Sequence, residues 1–384
     1  MSVKNIRIQN RNKILKVLAQ RRLLTRQEIA LETGMSLPTV ASNLEDLIRD
    51  GFVREAGMAE SRGGRRPLQV EFVPDARYSI GIEVRPGKIK AALTNLYAEP
   101  VLKREERLPE RLSPAGLSAL IERMIRELLR GEDLLPEVIL GVGIALPGVT
   151  DPERKVLEVA PNLHLQNVSF EEFGKLFPFP VMVENEANAS ALGEHMLNGH
   201  CNGEDPVVYI SITEGIGAGI IIGGDIYRGA NARAGEVGHV TIFPQGRLCN
   251  CGKKGCWERY GSISALLEDY SFEKKKEEVT LEELLEGVEG GEPEAMTVWD
   301  RYVEYLSYGI HNVILSFDPR FVYIGGEIAI FGSRLMDPLN RILLEESSLC
   351  EDHDVSILLS PLGGDSALLG AALLPLKSFP LYAG

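Results

Sequence analysis

Leu37, Val40, Leu44, Leu47 and Ile48 recur with the 3.6-residue period of a helix that buries one side. Ser36 stands where that helix needs its N-cap. Upstream, Thr25-Arg-Gln-Glu28 spells a capping box, in which a hydroxyl and a carboxylate satisfy two free amides reciprocally. Ile29 and Ala30 give this shorter helix its buried side. Thr33 and Gly34 end it, because glycine takes the left-handed conformation that a helix end requires. Leu15, Leu18, Leu23 and Leu24 follow a charged helical start. Two helices about a tight glycine turn predict a helix-turn-helix. GFVREAGMAESRGGRRPLQVEFVP then reads as a strand from Phe52 and Val53, a glycine-rich tip, and a strand over residues 68–73: the wing of a winged helix-turn-helix.

From residue 78 the pattern changes. YSIGIEV, KIKAALTNL and PVLKREERL read as consecutive strands. Ser113 and Pro114 open a helix with Leu117, Leu120, Ile121, Met124, Ile125 and Leu128 along one side, and Gly131 closes it. VILGVGIAL reads as a buried strand, FEEFGKLF as a short helix, VMVENEA as a strand, and 187–196 as a helix. The programme then repeats. VVYISIT and GAGIIIGGDI are strands, helices fall near 262–270 and 280–287, and a long one spans 293–315. FVYIGG and VSILLSP are strands, and 332–346 and 365–376 are helices. Two α/β lobes, each opening on a strand meander, predict a cleft between them. The divisions are 1–73 for a winged DNA-binding head, 76–200 for the first lobe and 201–384 for the second. The last helix is a candidate to return to the first lobe. EKKKEEVTLEELLEGVEGGEPE reads as a solvated helical insertion.

Composition narrows the class. The 384 residues are 44% hydrophobic and 25% charged, ordinary for a soluble globular protein. No apolar run reaches the roughly eighteen residues that span a bilayer, and the N-terminus lacks the apolar centre of a secretory signal. A cytoplasmic protein with no membrane partner is expected, and five cysteines in such a chain do not form a disulfide framework. The net charge of -14 argues against nucleic acid until its distribution is seen. Residues 1–73 hold 13 basic and 8 acidic side chains, a net +5 on an otherwise acidic body. Only the head is suited to phosphate backbones. Ser36, Thr39, Ser42 and Asn43 lie on the predicted outward side of the second helix, short polar groups able to approach base edges. Arg62, Arg65 and Arg66 on the wing suit a narrow minor groove. The plainer reading is a small helical module for protein contacts.

Three of the five cysteines fall in CNCGKKGC. Cys249, Cys251 and Cys256, with glycines between them, can turn back on one ion, and His239 ten residues upstream completes a tetrahedral Cys3His zinc site. Such a site has no open position, so its role is structural. A disulfide conflicts with a reducing compartment, and buried free thiols conflict with the hydrophilic surroundings.

GHVTIFPQGRLCNCGKKGCWERYGS, ITEGIGAGIIIGGDIYRGANARAGEVGH, PGVTD…PNL, VENEANASALGE and YIGGEIAIFGSRL together resemble the ROK family of repressors, open reading frames and sugar kinases. The resemblance spans about 76–384, and the winged head matches its regulator branch, as in xylose and N-acetylglucosamine repressors. It implies a two-lobed, actin-like α/β fold of the sugar-kinase and Hsp70-type ATPase kind, and a homodimer. It also implies sugar contacts at Asn162, Asn185, Glu186, Glu236, His239 and Glu258. Sugar hydroxyls both donate and accept, so fixed carboxylates and amides suit them. The phosphate machinery departs from the family pattern. Glu83 replaces an aspartate, Arg85 and Pro86 replace a glycine pair, and only Gly87 remains. In the second loop, running through Thr213, Gly215 and Gly217, Glu214 puts a carboxylate where kinases have a small residue. Glu186 stands at the position of the catalytic aspartate, while Gly325 and Gly326 on the adenosine side are retained. A sugar-responsive regulator, most simply a repressor binding operator DNA, is expected. The alternative is an ATP- and Mg-dependent sugar kinase with a DNA-binding appendage.

Overall fold

The computed structural model describes residues 3–58, 67–109, 112–199, 204–345 and 354–382. The head comprises α1 (Val3–Arg21), β1 (Leu23–Thr25), α2 (Arg26–Thr33), α3 (Leu37–Arg49), β2 (Val53–Met58) and β3 (Leu68–Phe72). The capping box forms: Glu28 N donates to Thr25 Oγ1 at 3.3 Å, and Thr25 N donates to Glu28 Oε2 at 2.7 Å. Gly34 ends α2 at φ +70°. Ile14, Leu18, Ile29, Val40, Leu44 and Leu47 make the apolar core. Ion pairs Arg7–Asp46 and Arg11–Asp50 tie α1 to α3. Leu23 and Leu24 do not continue the first helix. Arg22 at φ +65° breaks it, and β1 pairs antiparallel with β3, giving the sheet order β1-β3-β2.

The first lobe contains β4 (Tyr78–Arg85), β5 (Lys88–Thr94), β6 (Pro100–Arg107), α4 (Pro114–Gly131), β7 (Ile139–Leu146), β8 (Val149–Asp151), β9 (Val156–Ala160), β10 (Leu165–Ser169), α5 (Phe173–Leu176), β11 (Val181–Asn185) and α6 (Glu186–Leu197). Its main sheet runs β11-β7-β4-β5-β6, an antiparallel meander extended by parallel strands. The small sheet β10-β9-β8 was not in the sequence pattern. Leu117, Ile121, Met124, Ile125 and Leu128 of α4 are fully buried, as their spacing predicts.

The second lobe repeats the plan with β12 (Val207–Ile212), β13 (Ile216–Ile222), β14 (Asp225–Ile226), α7 (Glu258–Gly261), α8 (Ile263–Lys274), α9 (Leu281–Gly290), α10 (Pro293–Phe317), β15 (Phe321–Gly326), α11 (Ser333–Asn340), β16 (Ser356–Leu359) and α12 (Ser366–Leu376). Its sheet runs β14-β13-β12-β15-β16. In the acidic insertion, α9 buries Leu284 and Val288, so that stretch belongs partly to the core.

After β16 the chain leaves the second lobe. All eleven residues of α12 are buried, packed on β4 and β7 of the first sheet and on α6, which lies on β12 and β13. Two helices thus fill the space between two sheets. The approach is backbone to backbone: a Cβ on Gly143 would lie 1.9 Å from the Ala371 carbonyl oxygen, which only glycine avoids. Among the described residues no helix is long and apolar enough to cross a membrane.

Candidate functional site: the interlobe cleft

The end of β11 and the start of α6 form one wall. Asn185 caps α6, its Oδ1 accepting from Ala187 N at 2.9 Å and Asn188 N at 3.2 Å. Its Nδ2 donates to the Gly148 carbonyl at 2.9 Å and to Glu186 Oε2 at 3.0 Å. Every polar atom of this cap is engaged within the protein, so a ligand reaches Asn185 only by displacing one of these bonds. Glu186 follows on the first helical turn. Burial pushes its carboxyl up to about 7; Glu236 and Glu83 push the same way, while its own backbone amide and Arg85 oppose. Asn185, Asn188 and Thr150 of the first lobe face Gly217 and Glu236 of the second across one polar cavity.

The second wall carries the cysteines. Glu236 and His239 flank a short 3-10 turn, with Glu236 Oε2 3.7 Å from His239 Nε2. His239 Nδ1 faces the other way, 3.6 Å from Cys249 Sγ. Cys251 and Cys256 lie Sγ to Sγ at 3.6 Å, and the ligand atoms of all four residues fall within 4.8 Å of one another. Gly252 and Gly255, at φ +86° and +80°, let the loop fold back on itself. Glu258 opens α7 and joins cluster to cleft. Its Oε1 accepts from Cys249 Sγ at 2.9 Å and lies 3.5 Å from His239 Nδ1. Burial, then that carboxylate, push the Cys249 thiol up, so a bound metal ion must displace its proton. The set can hold a metal ion through three sulfurs and one imidazole nitrogen.

The two loops expected to resemble phosphate loops are filled by the protein's own side chains and hydrogen bonds. The β4–β5 hairpin turns at Pro86 and Gly87, the glycine at φ +76°. Glu83 is completely buried and forms an ion pair with Arg85, with Lys90 Nζ 3.8 Å from its Oε2. In the second loop, Thr213 N donates to the Gly215 carbonyl at 3.0 Å. Burial, then Glu327, push the Glu214 carboxyl up, while Asn162 of the first lobe opposes. Neither Asn162 nor Glu214 lines the cavity that Asn185 and Glu236 share. Gly325 serves packing, since a Cβ there would lie 2.0 Å from the Tyr209 hydroxyl oxygen, and Gly326 turns at φ +90°. A separate apolar groove of about 270 Å³, walled by Val237, Trp257, Val313 and Phe317, shares only Glu236 with the cleft.

One pair escaped sequence reasoning. Arg228, after β14, donates Nε to Glu184 Oε2 at 2.9 Å across the lobes. Glu184 Oε1 accepts from Asn185 N and Asn188 Nδ2, both at 3.0 Å. The available signal was a charged residue inside the apolar strand VMVEN.

In the head, Ser42 is exposed and Ser36 caps α3, its Oγ 2.8 Å from Thr39 Oγ1. Asn43 does not face outward. It is 5% exposed and donates Nδ2 to the Thr39 carbonyl at 2.7 Å, because three residues beyond Val40 it falls on the buried side. Arg62, Arg65 and Arg66 lie outside the described residues.

A winged DNA-binding head on two lobes that close over a polar cleft defines a regulator built on a sugar-kinase-like body. Residues 79–378 match the ROK family and residues 9–54 a winged helix-turn-helix DNA-binding family. The chain belongs to the ROK family. It is 32% identical to a xylose repressor of Bacillus spizizenii, covering 96% of this chain and 95% of that one. It is 30% identical to a xylose repressor of Caldicellulosiruptor bescii, covering 97% and 98%. A crystal structure of a ROK family transcriptional regulator, a homologue of E. coli MLC protein, superposes with a TM-score of 0.81 at 25% identity over 98% of each chain.

Proposed function

We propose that this protein is a sugar-responsive transcriptional repressor. A monosaccharide enters the cleft and meets Asn162, Asn185, Glu186, Glu236, His239 and Glu258. Paired heads of a homodimer hold operator DNA through Ser36, Thr39, Ser42 and the wing arginines. The observation that carries this reading is the ion pair on the phosphate side. Arg85 is bound to buried Glu83 at the place where the resemblance puts a kinase's glycine pair, while Asn185 and Glu236 share one polar cavity. Glu214 adds a negative charge that opposes nucleotide phosphates. Relatives named xylose repressor make a pentose the first sugar to test.

Zinc suits the cysteine cluster. Zn–S bonds of about 2.3 Å in a tetrahedron set sulfurs about 3.8 Å apart, close to the 3.6 Å between Cys251 and Cys256. His239, Cys249, Cys251 and Cys256 would hold it with no position left for substrate, and it would brace Glu236 and Glu258. His239 Nε2 then stays on the cleft side.

Sugar changes DNA affinity only if it prefers one lobe arrangement; a tenfold change requires about 1.4 kcal/mol of preference. Fluorescence anisotropy with the chain's own upstream DNA at low salt, titrated with a monosaccharide panel, tests this. Binding that some sugar weakens at least tenfold supports the proposal, and no binding in any condition removes it. The raised Glu186 carboxyl favours one second reading, since a base poised near 7 suits phosphoryl transfer to a sugar hydroxyl with ATP and Mg. A coupled ADP-release assay separates the two: turnover at roughly 1–1000 s⁻¹ would make the protein a kinase.

A further inference from the structure

Three bodies meet at the last described residues. Beyond α12, Lys377 forms an ion pair with Asp225 on β14 of the second lobe. The Phe379 ring lies 5.6 Å from that of Phe52 in the head, whose amide donates to the Leu47 carbonyl of α3 at 2.9 Å. Tyr382 donates its hydroxyl to the Leu96 carbonyl, 3.1 Å away in the β5–β6 turn of the first lobe. That turn also reaches the head: the Tyr97 hydroxyl donates to the Ala19 carbonyl of α1 at 3.0 Å, and its ring lies 5.3 Å from Phe72. Ile14 and Leu44 of the head, Leu96 of the first lobe, and Leu373 and Phe379 share one apolar cluster.

The other end of α12 begins against α6, whose cap Asn185 lines the cleft. Ser366 donates to Glu194 of α6 at 3.0 Å. Lys90 donates to the Gly364 carbonyl at 2.6 Å and lies 3.2 Å from Asp365. Lys90 also faces Glu83, which holds Arg85. α12 is held to α6, which opens on Asn185 and Glu186, so closely that a Cβ on Gly370 would lie 1.7 Å from the Ala189 carbonyl oxygen. The helix, about 16 Å long at 1.5 Å per residue, runs on to the junction. A buried helix gripped by backbone contact at Gly143 has no room to deform, so movement of one end is carried to the other.

We infer that residues 377–382 are the device through which the cleft acts on the head. Closure of the lobes displaces α12, and Phe379 passes that displacement to Phe52 and α3. The inference rests on the sugar-responsive reading and adds its route. It predicts uncoupling without loss of either binding activity.

The test uses full-length protein with Phe379→Ala. Operator Kd is read by anisotropy with and without saturating sugar, and sugar Kd by calorimetry. Xylose is the first probe. Wild type should show a ratio of about 5–150-fold, and the variant a ratio within about twofold of unity, with sugar Kd and sugar-free operator Kd near wild type. Should that variant fail to fold, Lys377→Met with Tyr382→Phe removes two tethers and leaves no cavity. An unchanged ratio in a folded variant overturns the inference. So does operator binding lost at every sugar concentration, which marks a merely structural contact. A flat wild-type response removes the sugar-responsive reading itself, and the wild-type arm alone reveals it.

Discussion

Replacing Arg228 by methionine removes the cation that one lobe offers the other and leaves Glu184 in place. The Glu184 side chain is 1% exposed, and its Oε2 receives both guanidinium bonds. Removing one partner of a buried pair costs about 3–5 kcal/mol, and losing hydrogen bonds to a charged group about 1.5–3 kcal/mol. Arg228 is 36% exposed, so water can reach the vacated side and the lower range applies. Asn185 N and Asn188 Nδ2 still serve the other oxygen. The expected loss is about 2 kcal/mol. Because the pair joins two lobes, the loss falls on the arrangement that keeps them in contact here, and a sugar that needs this arrangement should bind about thirtyfold more weakly. Calorimetry measures that affinity, and urea unfolding measures global stability. Adding Glu184→Gln neutralises the stranded carboxylate and should restore at least half the loss in a double-mutant cycle. The reasoning fails if Arg228→Met leaves sugar affinity and stability within about 0.5 kcal/mol of wild type, or if the second substitution restores nothing.

Three further outcomes are expected. The Glu186 carboxyl is raised from the ordinary 4.5 to about 7, so the folded protein holds its proton more tightly than the unfolded chain between those values. Its contribution is present below pH 4.5 and is lost as pH rises through 7; Glu186→Gln should therefore raise the melting temperature relative to wild type at pH 8 and not at pH 4.5. Elemental analysis should find one zinc per chain, and Cys251→Ser should lose it, lower the melting temperature and weaken sugar binding at least tenfold. Arg65→Ala with Arg66→Ala should reduce the slope of log affinity against log salt by about 2, measured by anisotropy on operator and unrelated DNA alike.

Elements with a strong local signature were legible. The capping box of α2, the one-sided helix α4 and the doubled strand meander all announce themselves within one continuous stretch of chain. Short strands did not: β1 and β8 have three residues each, and their pairing rests on partners elsewhere in the chain. Asn43 was misplaced because polarity suggested an outward residue while its position on the helix turned it inward. The cysteine cluster was visible because its ligands are close in sequence. Arg228 and Glu184 are 44 residues apart and meet only when the lobes do. The head read as a separate unit, yet Phe52 packs against Phe379 from the far end of the chain.

The position of α12 has a consequence for how the protein is made. The head and the first sheet leave the ribosome well before the helix that covers β4 and β7 and the aromatic ring beneath the head. Until those residues emerge, a nascent chain shows a bare glycine-lined sheet and an uncapped apolar underside, surfaces suited to chaperones and proteases. Prematurely terminated products should therefore be cleared rather than accumulate as DNA-binding fragments without a sensor.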